Sequence, residues 1–302
     1  MKAIFIPSRA RANSQRPEQN SKSPLRYPGG KSRAVQQILP FLPETPGVLV
    51  SPFIGGGSVE LAAAGLGWKV LGFDLFQPLV DFWQQALTSP QELADAVSTY
   101  YPLAKDRFYQ LQQTTFKTQL EEAARFFVLN RASFSGSTMS GGMSPGHGRF
   151  TPSAIERVRR FAADNLWVDQ ADFSKSIATN RNAFLYLDPP YFSASRLYGR
   201  RGDLHEGFHH QGLCELLKAR GNWLLSYDDC PQVREMYQGY QMVELSWKYG
   251  MSESKKSREI LILGDARQGA ATGKSRHAIS NSIATDALLS TLRQQLEPNN
   301  KE

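Results

Sequence analysis

Cysteine is nearly absent: Cys214 and Cys230 are the only two in 302 residues, and they form neither a metal-binding pattern nor a disulfide framework. A reducing cytoplasm fits that usage. Long apolar runs are missing too, since no stretch approaches the roughly 18 residues needed to cross a bilayer. The early "AIFI" is too short for the core of a signal peptide. Acids are in deficit, 28 against 35 basic residues, which leaves a formal charge of +7 and a pI of about 9.4. That balance favours a polyanionic partner.

A further absence removes a tempting function. "RYPGGKSR", Arg26 to Arg33, ends like a phosphate-binding loop, but the pattern G-x-x-x-x-G-K-[ST] would need glycine where Leu25 stands, and no strand precedes it. A second candidate, "GAATGKS" at 269–275, is one residue short and has Gln268 at the glycine position. Nucleotide hydrolysis therefore fails on spacing twice.

What is present is a folded composition, 41% hydrophobic and 11% aromatic. Residues 1–23 read as a polar, flexible arm. "SRAVQQILPFL" predicts a helix with Val35, Ile38 and Leu39 on one face. "GVLVSPF", a Gly-rich turn, the helical "GSVELAAAGL" and "KVLGFDL" predict a strand–turn–helix–strand unit. Further strands are expected at "LWVDQADF", "NAFLYLD", "NWLLSYDD" and "REILILG". Between the second and third strands lies a mostly helical stretch broken by the Gly/Ser/Met loop 133–152. The chain is thus expected to be an α/β sheet domain, 24–85 with 165–265, carrying a helical insertion, 86–164, and a tail, 266–302.

Two motifs carry chemistry. "SPFIGGGSVEL" followed by Asp74 at a strand end joins a turn that lets a ligand approach the backbone to an acid able to bind a ribose diol. Taken alone, this turn would equally suit a dinucleotide. "LYLDPPYF" is more specific. Its consecutive prolines remove two backbone donors and hold Asp188 extended, so a strand end displays a carboxylate, carbonyl acceptors and an aromatic ring. Such an acceptor-only site suits an exocyclic amine.

With "RYPGGK", "PFIGGGSVEL", "FD" at 73–74, "LNRASFSG", "ADF" at 171–173, "DPPY", "LLSYDD" and "KSREILIL" in this order, the chain resembles the Dam-type (D12 class) DNA adenine-N6 methyltransferases over about residues 24–264. The resemblance implies a Rossmann-like methyltransferase sheet with 86–164 as target-recognition insertion. It also implies methyl transfer from S-adenosylmethionine to N6 of a flipped adenine in double-stranded DNA. Carried over by motif, the cofactor contacts are Tyr27, Lys31, Pro52, Phe53, Gly55, Gly57, Asp74, Asp172 and Phe173. The catalytic residues are Asp188, Pro189, Pro190 and Tyr191, and no metal is needed. Cytoplasmic location, a monomer and a cognate restriction endonuclease as partner belong to the same picture.

Arg131, Ser135, Arg149, Arg200 and Arg201 are expected on DNA. Family members that read GATC carry "NG" and then arginine in the recognition loop. Here "SGSTMSGGMSPG" has no arginine before Arg149. The resemblance therefore carries the chemistry and leaves GATC in doubt as the target. Against cytosine-N4 transfer stands Asp188, where such enzymes usually have serine. An RNA substrate is disfavoured by the insertion, and a binding protein on a decayed scaffold by the intact Asp74, Asp188 and Tyr191. His205, His209 and His210 form a histidine cluster, which Gly207 weakens as a helical metal site.

Overall fold

The computed structural model describes residues 22–27, 29–136, 138, 141–144, 148–192, 208–245 and 259–264, which belong to one compact unit, Gln19–Gln268. The expected arm up to residue 21, the tail from 266, Arg200, Arg201, His205 and the Ser135 side chain lie outside the described residues.

Seven strands form one sheet: β1 (Val48–Ser51), β2 (Lys69–Asp74), β3 (Leu166–Gln170), β4 (Phe184–Leu187), β5 (Trp223–Asp228), β6 (Gln241–Leu245) and β7 (Glu259–Leu263). Their order is β3-β2-β1-β4-β5-β7-β6. β3, β2, β1, β4 and β5 run parallel, and β7 is antiparallel to both β5 and β6. This is the Rossmann-like α/β sheet that the resemblance implies. Six strands are those read from the sequence. β6 is the addition: "QMVEL" buries only Leu245 well, because an edge strand is held by its pairing with β7 rather than by an apolar face.

The expected first helix is instead three short pieces. A 3₁₀ turn at Lys31–Arg33 leads to α1 (Val35–Ile38) and a second 3₁₀ turn at Leu39–Phe41. Pro40 lacks the N–H that a continuing helix needs. Ile38 is buried, with Val35 and Leu39 packed against the core as expected.

α2 (Ser58–Gly65) follows the Gly-rich turn. Between β2 and β3 come α3 (Gln77–Thr88), α4 (Pro90–Ser98), α5 (Lys105–Gln113), α6 (Gln119–Ala132) and α7 (Pro152–Arg159). α6 starts in a capping box between Thr118 and Glu121. It then buries every residue from Ala123 to Asn130, Arg125 included. That guanidinium is satisfied by Glu122 at 2.6 and 2.9 Å and by the carbonyls of Leu111 and Thr114. Phe82 stacks on Phe127 at 5.5 Å, joining α3 to α6. One apolar cluster runs without a break from the sheet into these helices. α8 (Phe173–Thr179), α9 (His210–Lys218) and α10 (Pro231–Met236) complete the described elements.

Candidate active site

The strand order reverses direction at β1, which has β2 on one side and β4 on the other. In an open parallel sheet this opens a crevice at the carboxyl ends of the strands. Three loops converge on it: Pro52–Gly57 after β1, Asp74–Phe76 after β2, and Asp188–Tyr191 after β4.

The glycines of the first loop are required by their neighbours. Gly55 and Gly57 have φ of 45° and 65°, which other residues rarely adopt. A Cβ at Gly55 would stand 2.8 Å from the Tyr27 ring, and one at Gly57 would stand 2.8 Å from Trp83. The loop is thus clasped between Tyr27 and α3, whose Trp83 Nε1 donates to the Gly55 carbonyl at 3.0 Å. Gly55 N–H in turn donates to Asp74 Oδ2 at 3.2 Å, and Phe76 N–H to Oδ1 at 3.0 Å. Burial raises the Asp74 carboxyl to about 6, against these backbone bonds.

The opening motif reaches the same crevice. Gly30 N–H closes a turn on the Tyr27 carbonyl, 3.0 Å, with Gly29 at φ 71°. The Asn130 amide accepts from Arg26 N–H at 2.9 Å and donates to Arg26 O at 2.6 Å, tying the motif to α6. Gly136 packs on that carbonyl with no room for a side chain. Lys31, only 4% exposed, is aimed inward. Its ammonium donates to both oxygens of Asp188 at 2.6 and 2.8 Å and to Gly29 O at 3.1 Å, and lies 4.8 Å from the centre of the Tyr191 ring. Burial opposes the lysine charge, but Asp188 and Glu259 outweigh it and raise its pKa. Burial also raises Asp188, with Lys31 pulling the other way. Glu259 opens β7, and because β7 runs antiparallel, its first residue lies at the edge where β4 and β5 end. Its Oε2 is 3.5 Å from the Lys31 ammonium.

Beside the glycine turn, Phe53 and Phe173 approach at 5.7 Å, and Phe208 completes a triangle with them at 5.6 and 5.4 Å. Pro52 is buried beside this group in sequence, while Asp172 is exposed and caps α8 through Ser174 N–H at 2.8 Å. Pro189 is buried and Pro190 half-buried. The turn is held from behind: Phe192 N–H donates to Asp228 at 2.9 Å, the Phe192 ring packs on His210, and His210 Nδ1 contacts the Tyr227 hydroxyl.

A family model for D12 class N6 adenine-specific DNA methyltransferases matches residues 27–251, most of the chain. The chain belongs to that class. Among curated relatives, the type II methyltransferase M1.LlaDCHI of Lactococcus lactis subsp. cremoris is 23% identical over 78% of this chain and 93% of its own length. The type II methyltransferase M.CviBI of Paramecium bursaria Chlorella virus NC1A is 21% identical over 74% and 90%. The DNA adenine methylase of Haemophilus influenzae is 22% identical over 86% and 99%. The activity is site-specific methylation of adenine N6 in DNA.

Four arginines of the described chain lie close together. Arg131 is pushed down to about 10 by burial and by Arg157, Arg26 and Arg149 around it. Its Nε donates to the Arg149 carbonyl at 3.0 Å. None of these four makes an ion pair within the described residues, whereas Arg159 pairs with Asp95 and Arg160 with Glu156. Phe134, 63% exposed, stands next to Ser133, whose carbonyl the Arg26 guanidinium touches at 3.5 Å.

Reading from the sequence left Glu60, Trp83, Asn130, Phe208, Asp228 and Glu259 without roles. Glu60, buried on α2, accepts from Ser51 Oγ at 2.6 Å, and burial lifts it to about 7. The available signals were acids inside apolar runs, "SVELAAA" and "REILIL". No helix among the described residues is long and apolar enough to cross a membrane.

Proposed function

We propose that this methyltransferase takes the methyl group of S-adenosylmethionine and delivers it to N6 of an adenine turned out of duplex DNA, with Asp188 as the acceptor that orients the amine. The observation that carries this reading is the convergence at one sheet edge of the clasped glycine loop, Asp74 and the Asp188–Tyr191 turn.

The residues present fit such a cofactor. Each Asp74 oxygen keeps a lone pair after its backbone bond and so can accept from a ribose hydroxyl. Leu75, 57% exposed beside it, and the Phe53–Phe173–Phe208 triangle offer apolar surface to a purine ring. Bound S-adenosylmethionine supplies a methyl group on a positively charged sulfur. Adenine N6 is a poor nucleophile because its lone pair is delocalised into the ring. Accepting its two N–H bonds at Asp188 and the Pro189 carbonyl turns the lone pair out of the ring plane and stabilises charge growing on nitrogen. Asp188, directly or through water, is the acceptor for the proton that must leave. Tyr191 supplies an aromatic face for the base.

Duplex adenine is out of reach, so the base must flip at a cost of a few kcal/mol. Arg26, Arg131, Arg149 and Arg157 supply phosphate contacts, and the exposed Phe134 is a ring able to enter the gap in the stack. The domain reading follows: 24–85 with 165–265 catalytic and 86–164 for target recognition. The chain works as a monomer. A cognate restriction endonuclease is its partner in a restriction–modification pair, in keeping with the two type II relatives.

The test is transfer of labelled methyl from S-adenosylmethionine to duplex DNA, followed by nucleoside analysis. N6-methyladenine is expected, and Asp188→Ala should remove it; label in N4-methylcytosine would sink the base assignment.

A further inference from the structure

Glu259 has no part in the chemistry above, yet it is a carboxylate only 6% exposed, placed against an ion pair that is already complete. Its Oε2 makes no well-formed hydrogen bond among the described residues; its polar neighbours are the Lys31 ammonium and the Tyr191 hydroxyl, which is itself unsatisfied. Leaving a buried carboxylate short of partners is costly unless some other arrangement satisfies it. The Asp188 side chain is 22% exposed, so it opens toward the crevice, while Lys31 and Glu259 lie behind it.

In the arrangement described, Lys31 rests on both Asp188 oxygens. That contact neutralises the carboxylate expected to receive the adenine amine. It also holds a positive charge beside the nitrogen on which positive charge develops during transfer. A buried ammonium cannot simply be released, but it can change partners. Glu259 is the carboxylate within reach, 3.5 Å away, and a small rotation of the lysine side chain turns that separation into a hydrogen bond.

We infer that Glu259 is a positioning residue that receives the Lys31 ammonium when adenine loads onto Asp188, so that one cation serves two carboxylates in turn. The inference rests on the reading of Asp188 as the amine acceptor. It explains why an acid opens the apolar run "EILIL" of an interior strand: the position faces the lysine across the sheet edge. With adenine bound, Glu259 holds Lys31, Asp188 is fully anionic toward N6, and the repulsion between the ammonium and the reacting nitrogen is reduced.

Two measurements test this. In a ternary complex with duplex DNA and a non-transferring analogue of S-adenosylmethionine, the Lys31 ammonium should lie at about 2.8 Å from Glu259 and off at least one Asp188 oxygen. An ammonium still on both Asp188 oxygens overturns the inference. In single-turnover transfer, Glu259→Gln should slow the methyl step at least about 100-fold while folding midpoint and cofactor affinity stay at wild-type values, and Glu259→Asp should recover most of the rate. In a Lys31→Met background the same change should cost less than about threefold. Full additivity, or a loss explained by a lowered folding midpoint, would mark Glu259 as structural. Asp188→Ala run alongside separates the two ideas: activity surviving there removes the Asp188 reading itself. Activity lost there but unchanged in Glu259→Gln removes this inference alone.

Discussion

The Asn130 side chain grips the backbone of Arg26 on both sides, accepting from its N–H at 2.9 Å and donating to its carbonyl at 2.6 Å. A residue in the last turn of α6 thereby fixes a segment 104 positions earlier, and with it the turn that aims Lys31 at Asp188.

Asn130→Ala should therefore act at a distance. Two backbone groups lose their partner, each at about 1–3 kcal/mol where water cannot replace it, and the Tyr27–Lys31 turn loosens. The expected result is a lowered folding midpoint together with weaker cofactor binding, read by thermal unfolding and calorimetry. Asn130→Asp should be no better, since it swaps the donor toward Arg26 O for a second acceptor.

Cofactor affinity should depend on pH through Asp74. Its carboxyl sits at about 6, and the ionised form is the one that accepts from ribose hydroxyls. Affinity is then expected to rise with pH through about 6 and level off above it, falling roughly tenfold per unit on the acid side if only the anion binds. Asp74→Asn should bind weakly and without that dependence. Calorimetric titration between pH 5 and pH 8 checks both, these being about one to two units either side of the Asp74 value.

Glu60 makes a stability prediction of definite sign. Its folded value of about 7 lies above the ordinary glutamate value of 4.5, so the folded state keeps the proton longer than the unfolded chain. Stability from this site is fully present below the unfolded value and is lost as pH rises through about 7. Glu60→Gln should match the wild type in acid and exceed it at pH values above 7, by as much as about 3 kcal/mol. Its amide oxygen can still accept from Ser51. Urea unfolding at both ends of the range decides it; equal stabilities throughout would place the Glu60 proton elsewhere.

Charge and stacking should separate on DNA. Arg131→Ala and Arg149→Ala are expected to weaken binding to any sequence and to lower the salt dependence by about one counterion each. Phe134→Ala should instead slow transfer on intact duplex and be nearly silent on DNA whose target adenine lacks a pairing partner, where flipping is already cheap. Fluorescence anisotropy against salt and single-turnover rates on the two duplexes distinguish these effects.

Much of this protein could be read before its structure. Six of seven strands, the glycine turn and the Asp188–Tyr191 motif follow from local patterns, because buried strands need apolar runs and special backbone needs Gly or Pro. β6 escaped because an edge strand has no such run. The broken first helix shows one proline overriding an apolar face.

Other relationships needed the tertiary fold. The sequence by itself determined which side chains are available and on which strand ends they sit. Only the tertiary structure decided their pairings: Asn130 with Arg26, Trp83 with the glycine loop, Lys31 with Asp188, and Glu259 beside both. The physical reason is the sheet order. Antiparallel β7 carries its first residue to the edge where parallel β4 leaves its last, so an acid and a lysine separated by more than two hundred positions share one buried charge site.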